Sequence, residues 1–342
     1  MTSGQSGLSA KMKEAGRLLE PWKRPLLLTH EKPDGDALGS LAALRTILRS
    51  RGVAATAMLF DEIPPRYSIF HKYPPMDRLE AGTGQLNEFD GIVILDTCSL
   101  SQLGPVADRL RVKGAPRIVI DHHATRDDLG ACEVIDPSAS ATCLLLHEWC
   151  RLLRWRVEAE AAEAMFIGIA MDTGWFRHSN TDARTAVAAA ALAESGVSPN
   201  ALYESLYQCE SVGRVRLLGK ALESMEIRMG GRLAVMTLTT DAFRAAGAGL
   251  ADTEDIVNEP LRIADVWVSI LFVEQGDGVV RINARSKAPR RGASVANIDV
   301  ASITRSLGGG GHRRAAGARV PGGLSEVKPK VLVVVERAIA ET

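Results

Sequence analysis

Four apolar segments in the first half of the chain each end in side chains of the types that bind metal ions. Short apolar runs alternate with helical patterns over residues 20–195, which predicts a doubly wound α/β domain with a mainly parallel sheet. Continuous apolar runs such as 91–95 are typical of parallel strands that helices cover on both faces. The side chains are His30, Asp34 and Asp36 after the first segment, Asp96 after the second, His122 and His123 after the third, and Asp172 after the fourth.

These side chains are expected to converge, because sites in open α/β sheets form beyond the carboxyl ends of the strands. Seven side chains are too many for one ion. They fit two ions with octahedral preferences, such as Mn²⁺ or Mg²⁺, with one carboxylate bridging them. The lack of cysteine ligands argues against zinc as the preferred ion. A single aspartate at a strand end is more often a turn residue or a helix cap, so the prediction depends on the whole set.

The order and spacing of these residues resemble the four motifs of the DHH phosphoesterase family. The matching positions are His30-x-x-x-Asp34-x-Asp36, then Asp96, then Asp121-His122-His123, then Asp172. The resemblance implies one ion on His30, Asp34 and Asp96, and a second on Asp36, Asp96, His122 and Asp172, with Asp96 as the bridge. It also implies that Asp121 supports the histidines and that His123 faces the scissile phosphate. Catalytic roles are therefore expected for Asp96, Asp121 and His123.

The C-terminal third of the chain carries a local positive charge and a glycine run. Residues 281–319 hold nine basic side chains against one acid, Asp299, although the whole chain has no net charge. Four glycines precede His312, and successive glycine N–H groups can cradle a phosphate. The alternatives are a solvated basic face and a flexible loop. The segment 309–317 resembles the GGGH-x-x-AAG signature of the DHH-associated C-terminal domain, and the segment 285–287 resembles the R-S segment of that domain.

These resemblances imply a group of substrate-binding residues in the second half of the chain and a smaller group in the first half. The larger group is Arg285, Ser286, Gly310, Gly311 and His312, joined by Arg177 and Asn180 at positions where the oligoribonuclease (nano-RNase) subgroup lines its pocket. The stretch 288–298 is longer and more basic than is usual for the family. We expect this difference to affect the length of substrate that fits.

The predicted domain organisation has a catalytic DHH domain at 15–200, a helical linker at 201–229 and a smaller α+β domain at 230–342. The active site is expected in the cleft between the two domains. Five cysteines, an odd number without a C-x-x-C pair, favour a reducing cytoplasm over a disulfide framework. The apolar runs are too short to span a membrane.

The predicted function is that of a metal-dependent phosphoesterase for short nucleotide substrates. By resemblance, the favoured activity is an oligoribonuclease that releases 5′-mononucleotides and can dephosphorylate 3′-phosphoadenosine 5′-phosphate. A phosphodiesterase for cyclic or linear dinucleotides stays open, because it would share the metal site. A non-catalytic nucleotide sensor is the third alternative, although it would not need the complete ligand set. A homodimer is expected by analogy with the family.

Overall fold

A computed structural model describes residues 3–79, 86, 88–111, 114–123, 127–129, 132–288 and 297–342. The chain divides into two compact units, Met1–Cys209 and Glu210–Thr342. Each unit has its own six-stranded sheet with a hydrophobic core on either face. The predicted α/β class with a mainly parallel sheet and a second, smaller α+β domain is confirmed.

The first unit contains a parallel sheet flanked by helices. Its strands are β1 (Leu26–Leu28), β2 (Thr56–Leu59), β3 (Asp77–Arg78), β4 (Ile92–Leu95), β5 (Arg117–Asp121) and β6 (Cys132–Ile135). Its helices are α1 (Ser3–Leu19), α2 (Gly35–Ser50), α3 (Ala107–Arg111), α4 (Thr142–Leu153), α5 (Ala159–Asp172), α6 (Ala183–Glu194) and α7 (Pro199–Tyr207), with 3₁₀ helices at Pro65–Lys72, Leu100–Gln102 and Gly104–Val106. The strand order is β3-β2-β1-β4-β5-β6, and every pairing is parallel.

Burial on both faces explains why the central strands β1 and β4 are continuously apolar. Leu27 and Val93 face one core with α1, α2, α4 and α5, whereas Leu26 and Ile94 face a second core on the opposite side of the sheet. The order of the strands reverses between β1 and β4, because the chain goes outward from β1 to β3 and then returns to β4. This reversal opens a crevice beyond the carboxyl ends of β1 and β4.

The second unit contains a mixed sheet with the order β11-β12-β10-β9-β8-β7. Its strands are β7 (Glu226–Arg228), β8 (Leu233–Leu238), β9 (Val268–Glu274), β10 (Val279–Ser286), β11 (Gly310–His312) and β12 (Ala315–Pro321). Its helices are α8 (Val212–Glu223), α9 (Thr240–Ala246), α10 (Val300–Arg305) and α11 (Leu324–Ala340), with 3₁₀ helices at Met229–Gly231, Leu250–Thr253 and Ile256–Arg262. β8 and β9 pair in parallel and all the other pairs are antiparallel.

Several local predictions differ from the structure. The sequence of residues 101–113 predicts one helix, but the described part up to Arg111 contains two 3₁₀ turns followed by the short α3, in a stretch with the glycine–proline pair at 104–105. The sequence also predicts a helix near 252–262, where the structure has a pair of 3₁₀ helices, the second of which contains Pro260. The strands β3 and β6 and the helices α1 and α9 were not predicted. The basic stretch 288–298, including Arg290 and Arg291, lies mostly outside the described residues.

Two further features bear on the predicted organisation. Within the region expected as a linker, α7 belongs to the first unit and α8 to the second. None of the helices in the described part of the chain is both long enough and apolar enough to cross a membrane.

Candidate functional site

The candidate metal ligands lie on loops and helix ends at the strand-order reversal of the first unit. His30 follows β1, Asp96 follows β4, His122 follows β5 and Asp172 is the last residue of α5. They form two clusters of three residues, each offering one ligand atom per residue within 4.8 Å of the others. The first cluster is His30 with Asp34 and Asp96, and the second is Asp36 with His122 and Asp172. A third group of the same kind, Asp96 with His122 and His123, overlaps both. The structure therefore brings together all six residues that the sequence predicts as metal ligands.

Asp96 lies between the two clusters and presents a different oxygen to each. Its Oδ2 lies 3.5 Å from His30 Nε2, and its Oδ1 lies 3.6 Å from His122 Nε2. The residue is only 2% exposed and has a positive φ of 62°. Aspartate tolerates this left-handed conformation better than most residues do. A carboxylate in this orientation is suited to bridging two cations.

Asp34 and Asp36 have different local roles at the start of α2. Asp34 caps the helix, because its Oδ1 accepts hydrogen bonds from the N–H groups of Asp36 and Ala37, both at 3.0 Å. Asp36 is fully buried, and its two oxygens accept the N–H groups of Thr142 (2.5 Å) and Cys143 (3.0 Å) in the first turn of α4. The cap interpretation and the metal-ligand interpretation of Asp34 are therefore compatible.

The two histidines of the clusters are oriented as ligands for a cation. The Nδ1 atom of His30 lies 2.7 Å from the Glu31 carbonyl oxygen, and Nδ1 of His122 lies 3.2 Å from the Ala139 carbonyl oxygen. A hydrogen bond from Nδ1–H to a carbonyl leaves Nε2 available to a metal ion. His122 Nε2 is buried 3.0 Å from Asp172 Oδ2 without the alignment of a hydrogen bond. A buried ring nitrogen that faces a carboxylate without an aligned hydrogen bond, together with the nitrogen and oxygen donor set, fits divalent cations.

The clustered carboxylates repel one another in the metal-free protein. Burial, followed by the charges of Asp36, Asp34 and Asp172, raises the pKa of Asp96 well above its usual value. Burial and the neighbouring acids also raise the pKa of Asp172 to about 7. Burial lowers the pKa of His122, but the adjacent Asp172 and Asp36 outweigh this effect and raise it to about 9. The site therefore favours the binding of positive charge.

His123 and Asp121 form a separate pair beside the clusters. His123 Nδ1 lies 2.7 Å from Asp121 Oδ1, which also accepts the N–H groups of His122 and His123. Burial opposes ionisation of Asp121, but the hydrogen bond with His123 outweighs it and the pKa of Asp121 is lowered. That same hydrogen bond raises the pKa of His123. The histidine side chain is 43% exposed, so solvent or a ligand can reach it.

Two residues that support the site were missed from the sequence. The Thr142 hydroxyl donates to Asp96 Oδ1 at 3.0 Å, and the sequence suggested only a serine or threonine cap near this helix start. Gly168 lies in the middle of α5, where a Cβ atom would come within 2.6 Å of Asp36 Oδ1 and 2.3 Å of Cys143 Sγ. A glycine inside a helical pattern was the available signal for this close approach.

Arg177 and Asn180 follow a left-handed turn after Asp172. Trp175 and Phe176 both have positive φ values, 60° and 63°, which are uncommon for bulky residues. Both rings pack against Phe166, which holds the turn in place. The exposed Asn180 donates its amide N–H₂ to the carbonyl oxygens of Ser140 (3.1 Å) and Asp172 (3.2 Å). The turn thus places Asn180 directly beside the second cluster.

In the second unit, the structure separates Arg285 from Ser286. Successive strand residues point to opposite faces. Ser286 is buried and its hydroxyl donates to the Ile298 carbonyl oxygen at 2.8 Å. Arg285 shares its face of the sheet with Asn283, and cross-strand pairing places Arg285, Ala315 and His312 in one row. The structure thus brings Arg285 and His312 to one face of the sheet and turns Ser286 away from it.

Asn283 is a further polar residue on the Arg285 face that sequence reasoning missed. Its row contains Gly317 and Gly310, neither of which adds a side chain above the sheet. Its amide nitrogen is buried and has no hydrogen-bond partner among the described residues. Burial also lowers the pKa of Arg285. This face of the sheet therefore carries a buried guanidinium and a buried amide N–H₂ group that lacks a hydrogen-bond partner among the described residues.

The glycine run forms the edge strand β11 and a turn leading into it. Gly311 has φ of 135°, and a Cβ atom there would come within 2.6 Å of the Ala315 carbonyl oxygen. The expected close approach of the backbone therefore occurs within the sheet. Gly310 has open space at its Cβ position, and His312 is exposed at the end of the strand. The strand presents its free edge to solvent.

Comparison with known proteins gives a consistent result over the whole chain. Residues 25–169 match the DHH family, N-terminal domain, and residues 231–341 match the DHHA1 domain. The "Bifunctional oligoribonuclease and PAP phosphatase NrnA" of Thermus thermophilus is 32% identical over 340 residues, which cover 96% of this chain and 94% of that protein. The protein of the same name from Bacillus subtilis is 27% identical over 86% of this chain and 88% of that protein. The crystal structure of an exopolyphosphatase-related protein from Bacteroides fragilis has the same fold, with a TM-score of 0.83, 24% identity and coverage of 97% of this chain and 96% of that one.

Proposed function

Because this chain belongs to the DHH family, we propose that it is a metal-dependent phosphoesterase that hydrolyses short oligoribonucleotides to 5′-mononucleotides. We propose that it also dephosphorylates 3′-phosphoadenosine 5′-phosphate, which is the pair of activities named for the Thermus thermophilus relative. The observation that carries the proposal is the orientation of Asp96, whose two oxygens face His30 and His122 on opposite sides.

The proposed cofactors are two divalent ions, with Mn²⁺ preferred and Mg²⁺ as the alternative. His30 and Asp34 would hold one, Asp36, His122 and Asp172 the other, and Asp96 would bridge them; all the donors are nitrogen or oxygen atoms. When bound, such a pair makes hydroxide available at neutral pH and neutralises charge on the phosphoryl group. In the metal-free protein, the raised pKa values of Asp96 and Asp172 reflect the same need for positive charge.

His123 is proposed to act on the scissile phosphate, with Asp121 as its support. The Asp121 carboxylate holds Nδ1 and stabilises the protonated imidazole, so Nε2–H can donate to a phosphate oxygen or to the leaving group. The exposed position of His123 lets a substrate reach this atom. Asp121 itself is completely buried and cannot contact the substrate.

The substrate is proposed to be held by residues of both units. In the second unit, Arg285 and His312 supply donors from one row of the sheet, Asn283 adds a neutral donor, and Gly310 and Gly311 let the substrate approach the backbone. In the first unit, Arg177 and Asn180 follow the second metal cluster. We propose a catalytic domain at 15–200, a linker at 201–229 and a substrate-binding domain at 230–342.

One assay panel tests the proposal. The protein is incubated with Mn²⁺ and RNA of two to five nucleotides, 3′-phosphoadenosine 5′-phosphate, cyclic dinucleotides or long single strands. We expect RNAs of two or three nucleotides to be hydrolysed fastest. We also expect 3′-phosphoadenosine 5′-phosphate to release phosphate. Absence of hydrolysis with metal bound would overturn the enzyme assignment. Faster turnover of cyclic dinucleotides would favour the phosphodiesterase alternative, and equal rates on long strands would refute the preference for short substrates.

The proposal also includes a cytoplasmic location and a homodimer. All five cysteines are free thiols, and four of them are buried, which suits a reducing compartment. Light scattering after gel filtration tests the dimer, which should give twice the 36.7 kDa mass of one chain. A single-chain mass at micromolar concentration would refute it.

A further inference from the structure

We propose that Thr142 is a positioning residue that orients the bridging carboxylate of Asp96 and links it to Asp36, so that the two metal clusters form one ordered centre. The inference rests on the two-ion site of the proposed function. Thr142 is the first residue of α4 and is completely buried. Because the residue is completely buried, its effect would pass through the two carboxylates.

Thr142 hydrogen-bonds to carboxylates from two different segments of the chain. Its N–H donates to Asp36 Oδ2 at 2.5 Å, and its hydroxyl donates to Asp96 Oδ1 at 3.0 Å. Asp36 belongs to the second cluster, whereas Asp96 belongs to the first cluster and also lies 3.6 Å from His122. One residue therefore connects both clusters through its main chain and its side chain.

Asp36 takes the place of the missing cap of α4. The residue before the helix, Ala141, has no side chain that could cap it. Asp36 instead accepts the N–H groups of Thr142 and Cys143 from a distance of 106 and 107 residues along the chain. The positive end of the helix dipole stabilises this carboxylate. The position of α4 and the position of Asp36 are therefore mutually dependent.

The hydroxyl of Thr142 fixes the rotation of the Asp96 carboxylate. The terminal torsion of an aspartate is broad, so a buried donor is needed to select one orientation. Among the residues that the structure describes, Thr142 is the one whose side chain donates a hydrogen bond to the Asp96 carboxylate. With Oδ1 held on this side, Oδ2 faces His30 and Oδ1 faces His122. Loss of the hydroxyl frees the carboxylate to rotate away from one or both clusters.

The expected effect is a loss of metal affinity with the fold preserved. Removing a group that orients a metal ligand typically weakens metal binding by about 10–100-fold. Thr142→Val has nearly the same volume and removes only the hydroxyl. Thr142→Ser retains the hydroxyl and should bind metal like the wild-type protein. Thr142→Ala and Thr142→Ser form a second pair for the same comparison, in case the valine variant does not fold.

Thr46 provides a matched control in α2. Its side chain is also buried, and its hydroxyl has no hydrogen-bond partner among the residues that the structure describes. Thr46→Val therefore makes the same chemical change, ten residues along the same helix from Asp36, without removing a hydrogen bond. We expect its metal affinity to equal that of the wild-type protein.

The experiment is a titration of metal-free protein with Mn²⁺ by isothermal calorimetry, with dinucleotide turnover measured in parallel. We expect two ions in the wild-type protein and a Kd raised about 10–100-fold for at least one ion in Thr142→Val. Wild-type Kd values for both ions in Thr142→Val, or in Thr142→Ala, would overturn the inference. Fewer than two ions in the wild-type protein would refute the two-ion site itself, which separates this failure from the first.

Discussion

Replacing Asp96 with asparagine should have opposite effects on the metal-free and the metal-bound protein. Asparagine has the same shape and tolerates the left-handed backbone at this position, so Asp96→Asn removes charge without straining the chain. Alanine at the same φ would add about 1 kcal/mol of strain and confuse the result. The substitution therefore isolates the charge of the proposed bridging carboxylate.

The metal-free variant should be more stable than the wild-type protein at pH 8. Burial and four neighbouring acids raise the pKa of Asp96 in the folded state, so folding at pH 8 requires either a buried charge or the uptake of a proton. Asparagine avoids both costs, and we expect a stabilisation on the order of 1–3 kcal/mol, which is the usual desolvation penalty of a poorly satisfied buried polar group. For a unit of 209 residues this corresponds to a rise in Tm of about 2–10 °C.

Bound metal should reverse this order of stability, because it should stabilise the wild-type protein more than the variant. An ion at 100 times its Kd stabilises the wild-type protein by about 2.7 kcal/mol, or roughly 5–10 °C in Tm. Asp96→Asn lacks the shared ligand and should lose most of this gain, together with turnover. Because a raised folded-state pKa penalises folding only above the unfolded-state pKa, the advantage of the metal-free variant should shrink as the pH falls towards 4.

The assay is differential scanning calorimetry with chelator or with Mn²⁺, at pH 8 and near pH 4.5. Asp77→Asn, at an exposed aspartate of the first unit, is the control and should change neither the metal-free Tm nor the metal response. If the metal-free Asp96→Asn variant melted at a lower temperature than the wild-type protein, repulsion among the buried carboxylates would not be what destabilises the metal-free site. A full Mn²⁺ shift in the variant would contradict the bridging role.

Three further predictions concern other parts of the protein. Arg285→Ala should raise KM for a diribonucleotide about 10–100-fold in steady-state kinetics, with a much smaller change in kcat, because a charged hydrogen bond to the substrate is lost. Gly168→Ala should lower the free energy of unfolding in urea by about 1–3 kcal/mol, since its Cβ would overlap Asp36; an unchanged urea midpoint would refute this crowding. The affinity for Mn²⁺ should rise between pH 6 and 9, because Asp172 (pKa about 7) and His122 (pKa about 9) must release protons to bind it; calorimetry in buffers of different ionisation enthalpy would detect those protons.

Local patterns were sufficient to predict the strands that carry the ligands. β1 and β4 are short and continuously apolar, and β5 has an apolar run between its charged ends, Arg117 and Asp121. All three are buried on both faces, so hydrophobicity alone identifies them. β6 and α1 were missed. β6 buries only alternate residues, and the first turns of α1 are polar and exposed where they are described. Weak periodicity in a short or polar segment does not distinguish an element from a loop.

The same contrast between local pattern and tertiary structure applies to the proposed substrate face of the second unit. The basic residues and the glycine run are visible in the sequence, and resemblance to the family grouped Arg285 with Ser286. Strand alternation indicates that these neighbours point apart, but only the pairing with β12 and β11 shows which of them shares a row with His312. Asn283 was missed because the glycines of its row, Gly317 and Gly310, are distant from it in sequence.

The sequence by itself determined the types of residue in the candidate metal centre, because ligand chemistry belongs to the side chain and strand ends are set by local hydrophobicity. The tertiary structure decided how these side chains are oriented. Asp36 caps a helix that begins 106 residues later, and the hydroxyl of Thr142 orients Asp96 from the same helix. Such contacts exist only when α2, β4 and α4 pack together. The direction of a buried carboxylate depends on the donors around it, and those donors come from segments that no local pattern connects.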